Sequence, residues 1–383
     1  FSPVSVNFRL TIKEFKSNPE ADWVEHGYGT RFQGFQNLMR LRVTNILLVS
    51  SLYDLYLFEE DGRLYELIRN EYQGLNLSHS PELTRVSSGY DAVSRVKEEG
   101  RFDLIITTMH IEDMTALNFA KLVRNSGLDI PIVLLAHDNR ELKSLLMNPE
   151  SAVFDKVFNW TGDFRIIIGI IKYLEDRLNV EHDSKIVGVQ NVIVIEDSVR
   201  YYSAFLPIIY TEMLKQSQRL ISEGINLTHK YLRMRARPKI LLCTNYEEAW
   251  DYFERYKELV LGIISDIAFP KNDELDDTAG IKFTKAVKES ISDIPILLTS
   301  NDPSNEEDAK KAGASFILKD SPILITRLQH FMNNNFGFGD FIFKTADGVE
   351  VGRSNDLKSM EDQLKIVPME SIKFHAERNH FSN

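Results

Sequence analysis

One order of short apolar segments runs along the chain twice. The ten segments are rich in Val, Ile and Leu and cover residues 45–49, 83–87, 103–108, 130–135, 155–159, 191–195, 239–244, 261–265, 294–299 and 315–318. Stretches with helical periodicity separate most of them. Strands that alternate with helices form βαβ units, and the strands of such units lie parallel in one sheet. The repeat therefore predicts an α/β fold with two (βα)5 units.

Four regions follow from this pattern and its interruptions. We predict an N-terminal arm, a first repeat, a second repeat and a C-terminal extension at residues 1–43, 44–181, 186–335 and 336–383. Segments 182–190 and 336–340 are predicted to be the junctions. The arm ends in an amphipathic stretch, residues 31–42, which predicts a short helix. The extension predicts a small α+β unit with a hairpin around Asp347 and Gly348, followed by two helices.

Composition and charge exclude several classes of protein. A net charge of −11 and a pI near 5.4 argue against nucleic-acid binding as the main activity. The only cysteine, Cys243, excludes a disulfide framework and a thiolate zinc site, and its apolar segment predicts a buried thiol. No apolar run reaches the length of a membrane span, so we expect no membrane partner and a cytoplasmic location. Because the first residue is Phe1, we expect a piece of a longer protein.

Charged and hydroxyl side chains follow four strands of the second repeat, at the point where each strand ends. They are Glu196 and Asp197, Asp266, Ser300, and Lys319. Because the carboxyl ends of parallel strands meet at one edge of a sheet, these side chains are predicted to converge. Crowded carboxylates need a cation, and oxygen ligands suit Mg²⁺. Beside the metal, one carboxylate can attack phosphorus while the ammonium and the hydroxyl hold phosphoryl oxygens.

This order of residues resembles that of a response-regulator receiver domain. The resemblance is carried by the acidic pair Glu196-Asp197, by Asp266 before an apolar-Pro step, by Ser300 and by Lys319. It implies a doubly wound, flavodoxin-like (βα)5 sheet. It also implies that Asp266 accepts a phosphoryl group from a histidine kinase or a phosphotransfer protein.

The same resemblance implies a role for each residue around Asp266. Asp197, Asp266 and the backbone carbonyl of Ala268 would bind Mg²⁺, with Glu196 beside them. Ser300 would be the switch hydroxyl, and Lys319 would supply the ammonium that binds phosphate. Phe316 would be the aromatic residue that changes rotamer. These roles are expectations from the family pattern, since spacing alone does not assign them.

The first repeat lacks this set of side chains. Alignment of its strands places Ser50 and Ser51 where the second repeat has its acidic pair, and Thr108 where it has the acceptor. Ala136 stands at the position of the switch hydroxyl, and Asn159 or Trp160 at that of the lysine. No nucleophile, metal ligand or counter-ion remains at these positions. We therefore predict a degenerate receiver that is not phosphorylated at this edge and that serves as a protein-contact domain.

The helix after Asp197 is predicted to be unusually long. Apolar side chains spaced three and four residues apart form a seam along it, at Leu206, Ile209, Met213, Leu220, Leu227, Tyr231 and Met234. Pro207 predicts an early kink. The seam suits either packing against the first repeat or a homodimer interface. A separate acidic insertion, residues 271–277, is predicted to be a solvated loop.

The chain as a whole is similar to the N-terminal region of bacterial proteins of the phosphoenolpyruvate synthase and pyruvate, phosphate dikinase-like class. The similarity is carried by four segments, ILLVSSLYDLYLFEEDGRL, EDSVRYYSAFLP, RMRARPKILLCT and HAERNHFSN. In those proteins receivers precede an enzyme part, so the similarity implies a regulatory front end whose partner is a downstream enzyme region. None of that enzyme's catalytic machinery falls on these residues, and we expect no enzyme activity from them.

The predicted function is a two-state phosphorelay switch in which phosphorylation of Asp266 draws in Ser300 and repacks the face formed by the last helices and strand of the second repeat. Two other classes stay open. An Asp-nucleophile phosphatase uses similar groups but needs a second acid two residues after the nucleophile, where this chain has Ala268. A scaffold or dimerisation front end of an enzyme needs no phosphorylation at all.

Overall fold

Two parallel five-stranded sheets with flanking helices follow one another along the chain. The computed structural model describes residues 37–58, 64–75, 77, 79–137, 139–221, 237–336, 340–354 and 357–377. The predicted α/β class with two (βα)5 sheets is confirmed. Every helix within the described residues is too short or too polar to cross a membrane.

The first sheet has the strand order β2-β1-β3-β4-β5. Its strands are β1 Asn45–Val49, β2 Glu82–Val86, β3 Leu104–Thr108, β4 Ile132–Ala136 and β5 Lys156–Asn159. Its helices are α1 Leu52–Phe58, α2 Leu64–Gly74, α3 Gly89–Glu99, α4 Ala116–Asn125, α5 Asn139–Leu146 and α6 Arg165–Val187, with a 3₁₀ turn at Pro149–Val153. We call these elements the first unit.

The second sheet has the strand order β7-β6-β8-β11-β12, which places its elements as in the first. In chain order the elements are β6 Asn191–Ile195, α7 Val199–Ile221, β7 Lys239–Cys243, α8 Tyr246–Tyr256, a 3₁₀ turn Lys257–Leu259, β8 Val260–Asp266, β9 Phe269–Lys271, β10 Glu274–Asp276, α9 Ala279–Ser290, β11 Ile296–Ser300, α10 Asn305–Lys311, β12 Ser315–Leu318 and α11 Leu324–Asn335. We call these elements the second unit.

The ten predicted strands all lie within two residues of observed strands at both ends. Two helices, α5 and α10, were not predicted. Helix α10 buries a single side chain, Ala309, and its other residues are charged or polar. A helix with so small an apolar face has almost no periodic signal, since the amphipathic pattern comes from burial.

The insertion at residues 271–277 is largely exposed, as predicted, but the prediction of a loop is wrong. Strands β9 and β10 form a hairpin with a two-residue turn there, and Lys271 pairs with Glu274. Its turn residues, Asn272 and Asp273, have φ of 53° and 62°. Both values lie in the left-handed region that a type I′ turn requires and that Asn and Asp tolerate. The insertion is therefore an ordered hairpin with an acidic, exposed second strand.

The predicted helix at residues 31–42 is wrong for the part that the structure describes, which begins at residue 37. Residues 39–43 form no helix but lie along α6, and the amides of Met39, Leu41 and Val43 donate to side chains of that helix. The acceptors are Asp183, Asn179 and Glu175. Every second amide of the arm thus meets every fourth residue of α6, which satisfies these amides without an arm helix.

Helix α6 joins the two units. It runs through most of the predicted junction 182–190 and ends only at Gly188, whose φ is 70°. Its first half packs against α7, where Gly169 lies against Pro207. One hydrophobic core contains side chains of both units, so the division into two domains stays a prediction.

The seam predicted along α7 packs within the chain. Leu206, Ile209 and Met213 are fully buried in the core that the two units share. The side chain of Leu220 and the residues Leu227, Tyr231 and Met234 lie outside what the structure describes. For the described part of the seam, the first of the two alternatives therefore holds.

Buried ion pairs connect α6 to the start of β7. The carboxylate of Asp176 accepts hydrogen bonds from the guanidinium of Arg237 at 2.7 and 3.0 Å and from the amide of Ile240 at 2.9 Å. The ammonium of Lys239 lies 2.8 Å from the carboxylate of Asp183, and both side chains are fully buried. The thiol of Cys243, on the same strand, is buried as predicted.

The C-terminal extension has the predicted content. Strands β13 Phe341–Lys344 and β14 Glu350–Ser354 form an antiparallel hairpin, and helices α12 Leu357–Ile366 and α13 Met369–Glu377 follow. Gly348 in the turn has φ of 82°, a value that favours glycine. The ring of His375 accepts a hydrogen bond from the amide of Lys344 at 2.8 Å and so ties α13 to the hairpin.

Replacement of Asp176 by Ala is expected to destabilise the protein by about 3–5 kcal/mol, because it leaves the Arg237 guanidinium buried without its carboxylate. The matched control on the same helix is Glu181→Ala. It removes an exposed pair with Lys185, which is worth about 0.3–0.5 kcal/mol. Urea unfolding followed by circular dichroism measures both. Equal losses in the two variants would contradict a structural role for the buried pair.

A pH dependence is expected from Lys156, whose ammonium lies 5.0 Å from the ring centre of Tyr202. Burial lowers the pKa of Lys156 from 10.5 to about 8. The unfolded chain therefore binds this proton above pH 8 while the folded protein releases it, so the contribution of Lys156 to the free energy of unfolding, measured as wild type minus Lys156→Met, is expected to rise from pH 8 upward. At about 1.4 kcal/mol per pH unit the rise is about 2 kcal/mol by about pH 9.5. Unfolding of Lys156→Met across this range is expected to lack the rise.

Candidate functional site

The predicted side chains of the second unit meet at the carboxyl edge of its sheet. Strand β8 lies between β6 and β11, so its last residue, Asp266, is flanked by the ends of both neighbours. The ammonium of Lys319 lies 2.7 Å from the carboxylate of Asp266 and 2.6 Å from that of Glu196. Three strand ends that are far apart in the sequence thus share one charged contact.

Lys319 is the positive centre of the site. Its side chain is 2% exposed, and its ammonium also lies 4.3 Å from the ring centre of Tyr201. Burial lowers the pKa of Lys319, but the charges of Glu196 and Asp266 outweigh burial and leave the pKa above its usual value. The ammonium therefore stays protonated beside its two carboxylates.

Three carboxylates crowd around this one ammonium. Oxygens of Glu196, Asp197 and Asp266 lie within 4.8 Å of one another. Burial, with the charges of Asp266 and Asp197 added, raises the pKa of Glu196 to about 8, although Lys319 opposes the change. Burial and the charge of Asp266 raise the pKa of Asp197 to about 6. Both shifts come mainly from burial, and the proximity of three carboxylates adds to them; a cation beside the three would oppose both effects.

The fit to Mg²⁺ follows from this donor set. The groups are carboxylate oxygens, which are the ligands Mg²⁺ prefers, and three carboxylates face a single ammonium, that of Lys319. Glu196, Asp197 and Asp266 would hold the ion. Ala268 is half-buried two residues after Asp266, and its carbonyl stays a predicted ligand.

The backbone around Asp266 is held on several sides. The amide of Ile267 donates to the Asp266 carboxylate at 2.7 Å, and the hydroxyl of Ser265 donates to the Asp266 carbonyl at 2.6 Å. Gly280, in the first turn of α9, packs so close that a Cβ there would lie 2.3 Å from this carbonyl. Only glycine fits at that contact, because the opposing atom is backbone and cannot move aside.

Ser300 lies at the end of β11, where its hydroxyl oxygen accepts hydrogen bonds from the amide of Asp302 at 3.1 Å and the side chain of Asn305 at 3.0 Å. Neither contact was predicted. The neighbouring Asn301 accepts a hydrogen bond from the hydroxyl of Tyr201 at 3.0 Å, and this tyrosine also covers Lys319. Tyr201 therefore joins the Lys319 side of the site to the Ser300 side.

Phe316 lies on β12, three residues before Lys319. It is half-buried and packs against the core on the far side of the second sheet. This placement puts it near the strand end that carries Lys319, and its change of rotamer stays a prediction. Sequence reasoning missed Tyr201, Asn301 and Asn305, since an aromatic ring and two amides have no charge that marks a site.

The first unit repeats the backbone geometry of this edge without its side chains. The amide of Ser50 donates to the carbonyl of Val86, as that of Glu196 donates to Cys243. The amide of Trp160 donates to Ala136, as that of Lys319 donates to Ser300, so Trp160 rather than Asn159 occupies the lysine position. The matching registers place hydroxyl or methyl groups at the four other positions, which are Ser50, Ser51, Thr108 and Ala136.

No protein-family model and no curated protein matches the chain. Among solved structures it is similar to a two-component system response regulator/GGDEF domain protein, with 16% identity, coverage of 76% of this chain and 98% of that one, and a TM-score of 0.33. It is also similar to a response regulator receiver domain protein from Clostridium thermocellum, with 16% identity, coverage of 39% and 94%, and a TM-score of 0.28. The receiver domain of the Francisella response regulator 1452 is similar too, with 14% identity, coverage of 35% of this chain and 98% of that one, and a TM-score of 0.26. Scores this low carry no functional argument, and the site's own side chains must supply it.

Replacement of Lys319 by Met is expected to lower the free energy of unfolding by about 3 kcal/mol near pH 9.5, because Glu196 is ionised there in the wild type and both it and Asp266 lose their cation. The loss is expected to be smaller near pH 6, where Glu196, whose pKa is about 8, carries a proton in both proteins. Guanidinium unfolding in the presence of a chelator measures both. The control is Lys310→Met, which removes an exposed pair with Glu306 and is expected to change neither value. A loss that is equal at the two pH values would contradict this electrostatic account.

Proposed function

We propose that the second unit is a signal-transduction receiver in which Asp266 accepts a phosphoryl group. The observation that carries the proposal is the contact of one buried ammonium, Lys319, with both Glu196 and Asp266 at a strand edge. Among these groups the Asp266 side chain is 13% exposed, while those of Lys319 and Glu196 are 2% exposed. Asp266 is therefore the more accessible carboxylate of the pair that Lys319 holds.

The proposed step is the transfer of a phosphoryl group from a phosphohistidine of a kinase or phosphotransfer protein. An oxygen of the Asp266 carboxylate forms the new bond to phosphorus. The bond from phosphorus to the imidazole nitrogen breaks, and its electron pair leaves with the imidazole, which takes up a proton. Bound Mg²⁺ would supply charge neutralisation for the phosphoryl oxygens.

Residues of the chain position the product. The amide of Ile267 fixes one oxygen of Asp266, so the other oxygen, which faces Lys319, is the one that attacks. Once that oxygen is bonded to phosphorus in the acyl phosphate, the Lys319 ammonium can bind a phosphoryl oxygen instead. Ser300 accepts two hydrogen bonds, which leaves its own hydrogen for another phosphoryl oxygen.

The proposed switch passes from these two residues to the surface through Tyr201. Movement of Lys319 toward phosphate removes a cation from the Tyr201 ring, and movement of Ser300 shifts the loop that holds Asn301. Both changes act on the same tyrosine, at the start of α7. Because α7 packs in the core shared with the first unit, phosphorylation of Asp266 can be sensed there.

In this proposal the first unit is a contact domain that is not phosphorylated. Its edge has hydroxyls at Ser51 and Thr108 and a methyl group at Ala136, which offer neither a carboxylate nucleophile nor a positively charged counter-ion. The signal would be read by the first unit itself, by a second copy of the chain, or by an enzyme region on the same polypeptide.

The deciding experiment is phosphorylation by acetyl phosphate in the presence of Mg²⁺. The wild type is expected to gain a single acid-stable, base-labile phosphoryl group by intact mass, and Asp266→Asn is expected to gain none. The control is Asp277→Asn, which removes an exposed carboxylate of the adjacent insertion and is expected to leave uptake unchanged. Beryllofluoride, which mimics the bound phosphoryl group, is expected to change the tryptic cleavage pattern of the wild type only.

Two results would overturn the proposal. Absence of uptake by the wild type, with no response to beryllofluoride, would leave the unphosphorylated scaffold as the function. Equal uptake by Asp266→Asn would place the acceptor elsewhere. Release of the phosphoryl group as fast as it forms would instead favour the phosphatase class, which Ala268 disfavours.

A further inference from the structure

The first unit carries its own cluster of ligand-type side chains, two imidazoles and a carboxylate, at its sheet edge. Asp54 lies in α1, His110 follows β3, and His137 follows β4. One donor atom from each of the three lies within 4.8 Å of the others. None occupies a position equivalent to an acid, hydroxyl or lysine of the second unit, so comparison of the repeats does not find them.

The distances in this cluster suit ligands around an ion better than direct hydrogen bonds. One carboxylate oxygen of Asp54 lies 3.7 Å from His110 Nδ1, and the other lies 3.7 Å from His137 Nε2. Hydrogen bonds between such atoms are about 2.7–3.2 Å long. In a tetrahedral site with bonds of about 2.0–2.1 Å, neighbouring ligand atoms lie about 3.3 Å apart. A slight contraction would therefore place all three around one metal ion.

Asp54 supplies an independent indication of a ligand. It is completely buried, and neither of its carboxylate oxygens accepts a hydrogen bond from any described residue. A buried carboxylate of this kind costs free energy unless a positive charge or a set of donors satisfies it. Both of its oxygens face imidazole nitrogens, so an ion between these groups would satisfy them.

The surroundings hold His110 in place for this role. Its carbonyl accepts hydrogen bonds from the amide of Ser51 at 3.0 Å and the hydroxyl of Thr108 at 2.9 Å. Its other ring nitrogen, Nε2, lies 3.5 Å from a carboxylate oxygen of Glu141. A carboxylate behind a histidine orients the ring and strengthens it as a ligand. The His110 side chain is 54% exposed, which gives an ion a path from solvent.

We propose that Asp54, His110 and His137 form a binding site for a divalent transition-metal ion of the Zn²⁺ type. Two imidazoles and a carboxylate favour such an ion over Mg²⁺, which prefers oxygen ligands throughout. Three protein ligands leave a fourth position for water or a further ligand. The ion would join α1 to the segments that follow β3 and β4. The site does not depend on phosphorylation of Asp266.

The test is titration of the metal-free chain with Zn²⁺ by calorimetry, with excess Mg²⁺ present to occupy the acidic edge of the second unit. A single equivalent is expected to bind, and Asp54→Asn and His137→Ala are each expected to weaken binding by at least about 100-fold. Glu141→Gln, which alters only the outer carboxylate, is expected to weaken it by about 10- to 100-fold. The control is His79→Ala, which removes an exposed histidine and is expected to have no effect.

Two further readouts separate a built site from surface binding. Co²⁺ is expected to give the visible absorption of a tetrahedral ion in the wild type and to lose it in His137→Ala. Zn²⁺ is also expected to raise the melting temperature of the wild type but not that of Asp54→Asn, whose folding is checked by circular dichroism. Binding by the wild type that is no tighter than that of Asp54→Asn, or an unchanged cobalt spectrum in His137→Ala, would overturn the proposal.

Discussion

Burial of the long helix α6 constrains the rest of the structure. Its first half is apolar and almost entirely buried, and the acids and the amide on one face of its second half, Asp176, Asn179 and Asp183, are buried as well. A buried carboxylate must find partners, because its desolvation is costly. On α6 each such group takes a partner from a different segment: the arm at residues 39–43, Arg237, or Lys239. The buried polar side chains of α6 thereby obtain hydrogen-bond and ion-pair partners. Those same contacts fix the arm and the edge strand of the second sheet in place.

This arrangement explains how the second unit is oriented on the first. The salt bridges of α6 hold the start of β7, and the apolar residues of α7 fill the shared core. Along the strands of the second sheet, alternate side chains pack into that shared core and into a separate core on the opposite face of the sheet. The position of the second sheet is therefore set by side chains buried away from its carboxyl edge. The acids at that edge do not need to contribute to folding. The excess of three carboxylates over one ammonium can persist there because the rest of the structure supports it.

Much of this was predictable from the sequence, and the exceptions share a cause. The strands were predicted because short continuous runs of Val, Ile and Leu are typical of buried parallel strands, and Asp266, Ser300 and Lys319 were predicted because parallel strands bring their ends together. The arm was not predicted, since its apolar residues suit a helix and only the distant side chains of α6 hold it in another conformation. Helix α10 was missed for lack of an apolar face, whereas α5 was missed although Leu142, Leu145 and Leu146 pack against the core. The cluster of Asp54, His110 and His137 was missed because its members lie in three separate loops and helices, with no spacing that connects them.

The two sheet edges show that backbone and chemistry vary separately in this fold. The same main-chain hydrogen bonds close both edges, at Ser50 and Trp160 in one and at Glu196 and Lys319 in the other. These bonds do not involve side chains, so a side chain at such a position can change without loss of the strand end. In the second unit the positions carry acids and a lysine that suit Mg²⁺ and phosphate. In the first unit the carbonyl of His110, at the position that corresponds to Ala268, is occupied by hydrogen bonds from Ser51 and Thr108. That carbonyl is no longer available to a metal in the way proposed for the second unit, and imidazoles are the remaining donors. Loss of one site at this edge is thus chemically compatible with the presence of another.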